Sequence, residues 1–272
     1  MDVSCTISHL RRDASHRSGY RAAHGLRGLV FDLEGVICDG SAWRRRLWQL
    51  LDRIESVEPY DDFMRALDNQ CMAAVYSGQR EFLPALELFL RERQLSPMQI
   101  GEISASPSIR HREGELHSAA LPGVVDTLAL LHRTCWQLAL LADTDLRSCE
   151  LHEHTRQLGV DRFVQVTLGS CDIGHSKPST VGFSELLRLL DLPADAVAFV
   201  SRTPRDLAAA RSIGLRTIAC GTIAGGMADN SAADITMAHI SELPEILADE
   251  GPTLPSAATS TPKHLVATRR LN

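Results

Sequence analysis

Short apolar runs alternate with amphipathic stretches along most of this chain. Gly28-Leu29-Val30-Phe31 reads as a central parallel strand, apolar on both faces, and it leads directly into Asp32-Leu33-Glu34-Gly35-Val36. From Leu121-Pro122-Gly123 onward the alternation becomes regular. Helical spacing over 123–133, 145–158, 179–191 and 204–213 is followed in turn by strand patterns at Gln137–Leu141, Phe163–Val166, Ala196–Val200 and Leu215–Ala219. A last strand and helix are predicted near Ile235 and over 241–248. Strands that alternate with helices make βαβ units, so the expected fold class is α/β with a Rossmann-like parallel sheet, to which the strand at 28–33 also belongs.

The stretch between that first strand and Leu121 has a different texture. Trp43, Leu47, Leu50, Leu51 and Ile54 fall at i, i+4, i+7, i+8 and i+11, a single apolar helical stripe. Arg44, Arg45 and Arg46 fall on the other faces and are expected to be solvated. Further helical patterns cover 60–76 and 80–94, and Ser96-Pro97 opens another. With no strand pattern there, 41–118 is expected to be a helical cap domain inserted into a core made of 28–40 and 119–249. Residues 1–27 are Arg- and Ser-rich and 250–272 are rich in Pro, Ser, Thr and Ala, so both read as flexible tails.

Composition narrows the function. The chain has 272 residues, 44% hydrophobic and 23% charged, ordinary values for a globular protein with a sizeable core. A net charge of −6 is no footprint for nucleic acid, and no apolar run is long enough to span a membrane. The seven cysteines are scattered and contain no C-x-x-C pair, which fits a reducing cytoplasmic setting.

The candidate chemistry lies where the predicted strands end, the edge of an open α/β sheet at which ligands collect. The first strand ends in Asp32 and Glu34, alternate residues about 7 Å apart, with Gly35 allowing a sharp turn. The second ends in Ala142-Asp143-Thr144, where Asp143 and Thr144 can also serve as helix N-caps. After the third comes His175-Ser176-Lys177-Pro178. Pro178 is a suitable first helical residue, so Lys177 is expected at a helix N-terminus, a place for a cation only if an anion is near. The fourth ends in Ser201-Arg202-Thr203-Pro204-Arg205-Asp206, in which Thr203 and Asp206 have capping-box spacing. Cys149, His152 and His154 do not share one helical face, which argues against a zinc cluster.

In this order, FDLEGVI, HSKPS and the segment from Val200 to Ile218 resemble the first, lysine and fourth motifs of the haloacid dehalogenase-like (HAD) superfamily. The resemblance covers about 28–248. It is specifically to the phosphatases with a helical cap, the phosphoglycolate phosphatase and β-phosphoglucomutase type. It implies that Asp32 attacks phosphorus to form an aspartyl-phosphate, that Glu34 takes the acid/base position, and that Lys177 neutralises both the nucleophile and the phosphoryl oxygens. It further implies a small phosphorylated metabolite as partner and a Mg²⁺ held by Asp32, Glu34 and Asp206, and the strand ends offer Asp143, Thr144, Lys177 and Arg202 as candidate substrate-binding residues. Oligomeric state is not legible.

Three departures bear on activity. Glu34 stands where the family usually has Asp, Ala142 where it has a Ser or Thr, and Ser201-Arg202 where it has Gly-Asp. Arg202 in place of a carboxylate reverses a charge at the expected metal position, so weak Mg²⁺ binding follows, with Arg202 free to pair with Asp32 or an anion. Two alternatives to the phosphatase therefore stand. One is a non-catalytic descendant that binds a phospho-ligand or a protein. The other is metal-free chemistry of the haloacid dehalogenase kind, whose fourth motif Ser201 and Asp206 match, although its second-motif Ser-Asn is missing.

Overall fold

The computed structural model describes residues 25–54, 58–106, 109, 118–221 and 232–248. Among the described residues six parallel strands form one sheet in the order β3-β2-β1-β4-β5-β6. They are β1 (Gly28–Asp32), β2 (Gln137–Ala142), β3 (Val166–Gly169), β4 (Val197–Ser201), β5 (Arg216–Cys220) and β6 (Ile235–Met237). β1 is central, with Asp32 opposite Leu141 of β2 and Phe31 opposite Val200 of β4. The chain winds outward from β1 on both sides, so the crevice at its carboxyl end is the switch point of the sheet.

Strand alternation sorts the core into two layers. Leu29 and Phe31 pack with Leu138, Leu140, Ala198 and Val200 beneath α6 (Val124–Arg133), α7 (Ser148–Gln157) and α11 (Leu243–Ile246). Val30 points the other way, joining Ala139, Leu141, Val197 and Phe199 against α8 (Ser170–Ile173), α9 (Val181–Leu190) and α10 (Pro204–Ser212). There the Phe183 and Phe199 rings meet edge to face at 4.8 Å.

The helical block has its own core. It comprises α1 (Ala42–Ile54), α2 (Tyr60–Leu67), α3 (Ala73–Tyr76), α4 (Phe82–Glu92) and α5 (Pro97–Ala105). A π-helical turn, Asp68–Met72, joins α2 to α3. Phe63, Leu67, Met72, Leu86, Phe89 and Leu90 fill the interior, and Ser96 closes a capping box with Gln99. Among the described residues this block contains no strand, and no helix is long and apolar enough to cross a membrane.

Several local expectations are corrected. The third strand begins at Val166, because Asp161–Phe163 form a 3₁₀ turn and pairing with β2 starts only at Gln165, whose N–H reaches the Leu138 carbonyl at 2.8 Å. The expected tail reaches too far. Leu26 is a core residue, and Arg27 bonds both Ala196 and Gln137 through its backbone. The remainder of that tail and the C-terminal one lie outside the described residues. In α1 the stripe narrows to Trp43, Leu47 and Leu51, with Leu50 half-buried and Ile54 exposed. Arg44, expected in solvent, is buried.

Candidate active site

Asp32 shares Val30's side of the sheet, the side of α9 and α10, and the loops leading into those helices supply its neighbours. Lys177 Nζ lies 3.1 Å from Asp32 Oδ1 and 3.4 Å from Asp143 Oδ1. The Ser201 hydroxyl, at the end of the adjacent β4, donates to Asp32 Oδ2 at 2.9 Å. Asp32, Lys177, Ser201 and Asp206 are all buried.

Two local devices hold this arrangement. The Lys177 N–H donates to Asp143 Oδ1 at 3.0 Å, so one carboxylate fixes both the backbone and the ammonium of the lysine loop. The Ser201 hydroxyl accepts the Thr203 N–H at 3.1 Å, which ties its orientation toward Asp32 to the turn into α10. The expected helix start at Pro178 is not formed, since α9 begins at Val181. The carboxylates, not a helix terminus, account for the placement of Lys177.

Burial and mutual charge set the electrostatics. Burial alone would lower the Lys177 pKa, but Asp143, Asp32 and Asp206 together hold it well above the usual lysine value. Burial raises Asp143, against the pull of Lys177. Asp206 is pushed up to about 7 by burial, with Asp32 and Asp143 adding to the shift and Lys177 opposing it. The cluster thus sets one ammonium against three carboxylates.

The other expected site residues lie apart from this cluster. Glu34 follows the end of β1 in a tight turn, closed by Gly35 N–H to Cys38 O at 2.7 Å, and its side chain faces the cap, 4.0 Å from Arg44 Nε. Thr144 is fully buried and its hydroxyl accepts the Leu146 N–H at 3.1 Å, a turn-closing role that leaves it no open face for a ligand. It does not cap a helix, because α7 starts at Ser148. Thr203 does cap α10, but without a side-chain bond, so the capping box with Asp206 is absent. Arg202 is exposed, and its stem lies over Gly35, where an added Cβ would come 2.6 Å from Arg202 Cδ. It contributes to lowering the Asp39 pKa, behind the bonds from Ser41, while the polar partners of Asp32 are Lys177 and Ser201. Gly35 therefore serves twice, taking φ +81° and leaving room for Arg202.

These donors do not fit a Mg²⁺ site. A hard cation needs several oxygens converging at about 2.1 Å. Here one Asp32 oxygen is occupied by Lys177 and the other by the Ser201 hydroxyl, and the residue after Ser201 is a guanidinium. Among the described residues no group of three or more His, Cys, Asp or Glu side chains is placed to hold a metal.

Comparison with known proteins adds the family. Residues 26–214 match the model of the haloacid dehalogenase-like hydrolases. A phosphoglycolate phosphatase from Chromobacterium violaceum is 31% identical over 133 residues, 48% of this chain, and the match spans 58% of that relative's length. The fold is similar to a putative β-phosphoglucomutase from Thermotoga maritima, with TM-score 0.56 and 17% identity over 82% of this chain and 99% of that one. It is equally similar to the L-2-haloacid dehalogenase from Xanthobacter autotrophicus, with TM-score 0.56 and 14% identity over 83% of this chain and 100% of that one. The chain belongs to the haloacid dehalogenase-like hydrolase family.

Proposed function

We propose that this haloacid dehalogenase-like hydrolase cleaves small phosphorylated metabolites through an aspartyl-phosphate on Asp32. The observation that carries the reading is the buried Lys177–Asp32 pair at 3.1 Å, a nucleophilic carboxylate held beside a cation that stays charged. An Asp32 oxygen attacks phosphorus as the ester P–O bond breaks, and the departing alkoxide takes the proton carried by Asp206, whose pKa of about 7 leaves it partly protonated at neutral pH. Water then attacks the aspartyl-phosphate at phosphorus, giving its proton to a neighbouring carboxylate and returning Asp32 with inorganic phosphate. Asp206, with a pKa near 7, suits that base role at neutral pH. Lys177 stabilises the equatorial oxygens throughout. Metal plays no part in this scheme. With one buried lysine against three carboxylates, the dianionic substrate is poorly compensated and slow turnover is expected.

A second reading has its own support. The Ser201–Asp32 hydrogen bond suits a nucleophile that attacks carbon without a metal, as in removal of halide from a 2-haloacid. The discriminating assay sets the purified protein against phosphate monoesters and 2-haloacids, each with Mg²⁺ and with EDTA. Phosphate release that survives EDTA and is lost in Asp32→Asn supports the first reading. Halide release in place of phosphate release moves the assignment to the second. Silence with both, together with measurable binding of a phosphate ester, leaves the non-catalytic descendant.

A further inference from the structure

Arg44 is the least expected residue at this cleft. It lies next to Trp43 in α1, 100° around the helix and thus on the flank of the buried stripe. Its Nη1 meets Asp68 Oδ1 at 2.5 Å and its Nη2 meets the Tyr76 hydroxyl at 3.1 Å, so the π-helical turn and α3 clamp the guanidinium. Its Nε–H is buried and makes no hydrogen bond. The residue is 8% exposed, and Glu34 Oε1 lies 4.0 Å from that nitrogen, beyond bonding distance. A clamped, buried guanidinium that keeps one donor open toward the nucleophile loop is costly unless something accepts that donor.

The cap lies over the core around this point. Arg205, next to Asp206, donates to Asn69 Oδ1 of the π-helical turn at 2.7 Å, and a Cβ added to Gly78 would meet Cys171 O at 3.4 Å. The Arg44–Glu34 gap therefore lies on the cap–core seam, two residues along the chain from the nucleophile.

We infer that Arg44 and Glu34 together bind a hydroxyl group of the substrate, so that the preferred substrates are hydroxylated alkyl or polyol phosphates. This rests on the phosphatase reading above and adds the substrate class. An oxygen about 2.9 Å from Nε and about 2.7 Å from Oε1 would see the two at an angle of about 90°, close to what a hydroxyl offers its donor and acceptor partners. A hydroxyl accepts from Nε–H and donates to the carboxylate at once. A carboxylate or a second phosphate in the same place would face Glu34 and Asp68, which already compensate the guanidinium, and an ammonium would face the guanidinium itself. Glu34, with 41% of its side chain exposed, forms the open wall of this gap.

The test pairs isosteric esters: 2-hydroxyethyl phosphate with propyl phosphate, and 3-hydroxypropyl phosphate with butyl phosphate. Turnover is measured with the wild-type protein and binding by calorimetry with Asp32→Asn. One hydroxylated ester should exceed its alkyl partner by about tenfold or more in kcat/KM and in affinity, the value of a hydrogen bond to charged partners. Arg44→Lys, which keeps a cation for Asp68 but removes the Nε–H, should bring the ratio close to one, chiefly through KM. Equal handling of both pairs by the wild-type protein means that only water bridges the gap, and it overturns the inference while the phosphatase reading stands. A preference that survives in folded Arg44→Lys also overturns it. If no ester is turned over, the phosphatase reading fails, and the calorimetric ratio alone decides whether the hydroxyl site exists.

Discussion

Replacing Lys177 by Met tests the electrostatic account most severely. Met matches the stem of Lys177 in length and fills the same buried space, so packing is nearly conserved. What is lost is the charge between Asp32 and Asp143, with Asp206 in electrostatic range. Removing one member of a buried ion pair costs about 3–5 kcal/mol, because the partner is left uncompensated. The sign follows from the direction of each shift. In the wild-type protein Lys177 titrates above its unfolded value, so its contribution is fully present below the unfolded lysine pKa and fades as pH rises through the folded one. In Lys177→Met the raised carboxylates of Asp143 and Asp206 lose their cation and move up further, so their ionisation opposes folding at neutral pH and is relieved by protonation. Urea unfolding at pH 8 should therefore show a loss of about 3–5 kcal/mol, shrinking to about 1 kcal/mol near pH 4.5, where Asp206 carries a proton. An equal loss at both pH values, or a loss under about 1 kcal/mol at pH 8, would refute the argument that Lys177 is held by charge.

Two further outcomes follow from the same cluster. Asp206 titrates near 7 in the fold against 3.8 for the ordinary side chain, so its ionisation destabilises the protein increasingly from about pH 4 up to pH 7. Asp206→Asn should raise stability at pH 8, by at most about 4 kcal/mol at about 1.4 kcal/mol per pKa unit, and leave it unchanged near pH 3.5, as thermal unfolding at the two pH values would show. Calorimetry with millimolar Mg²⁺ should give no heat for the wild-type protein, whereas Arg202→Asp combined with Ala142→Thr, which restores a carboxylate and a hydroxyl, should bind the ion.

How much of this was legible in sequence depends on how local each cause is. Apolar runs such as Val197–Ser201 and Gln137–Ala142 mark strands because a doubly covered sheet requires apolar residues on both faces. β3 was misplaced because its pattern is blurred. Phe163 belongs to a 3₁₀ turn, while Gly169 inside the strand is small because an added Cβ would stand 3.2 Å from Leu151. The strand-end rule brings Asp32, Asp143, Lys177 and Asp206 to one edge, but it does not distinguish inward from outward side chains. Glu34 and Thr144 show this. One turns to the cap, toward Arg44, and the other closes a loop turn on Leu146 while Ser170 accepts its backbone N–H. Arg44 itself was hidden among three consecutive arginines. Only the clamp by Asp68 and Tyr76, 24 and 32 residues away, separates it from its neighbours. Its one legible signal was position, on the flank of the Trp43–Leu47–Leu51 stripe.

The account rests on Asp32 as the covalent nucleophile, and one measurement reaches it directly. The protein is mixed with an excess of a phosphate monoester, quenched in acid within the first turnover, digested, and the peptide containing Asp32 weighed. The account predicts a fraction of that peptide heavier by one phosphoryl group, with the added mass mapped to Asp32 and absent from Asp32→Asn. Phosphate release at an undiminished rate in Asp32→Asn, or a phosphoryl group found on any other residue, would contradict it.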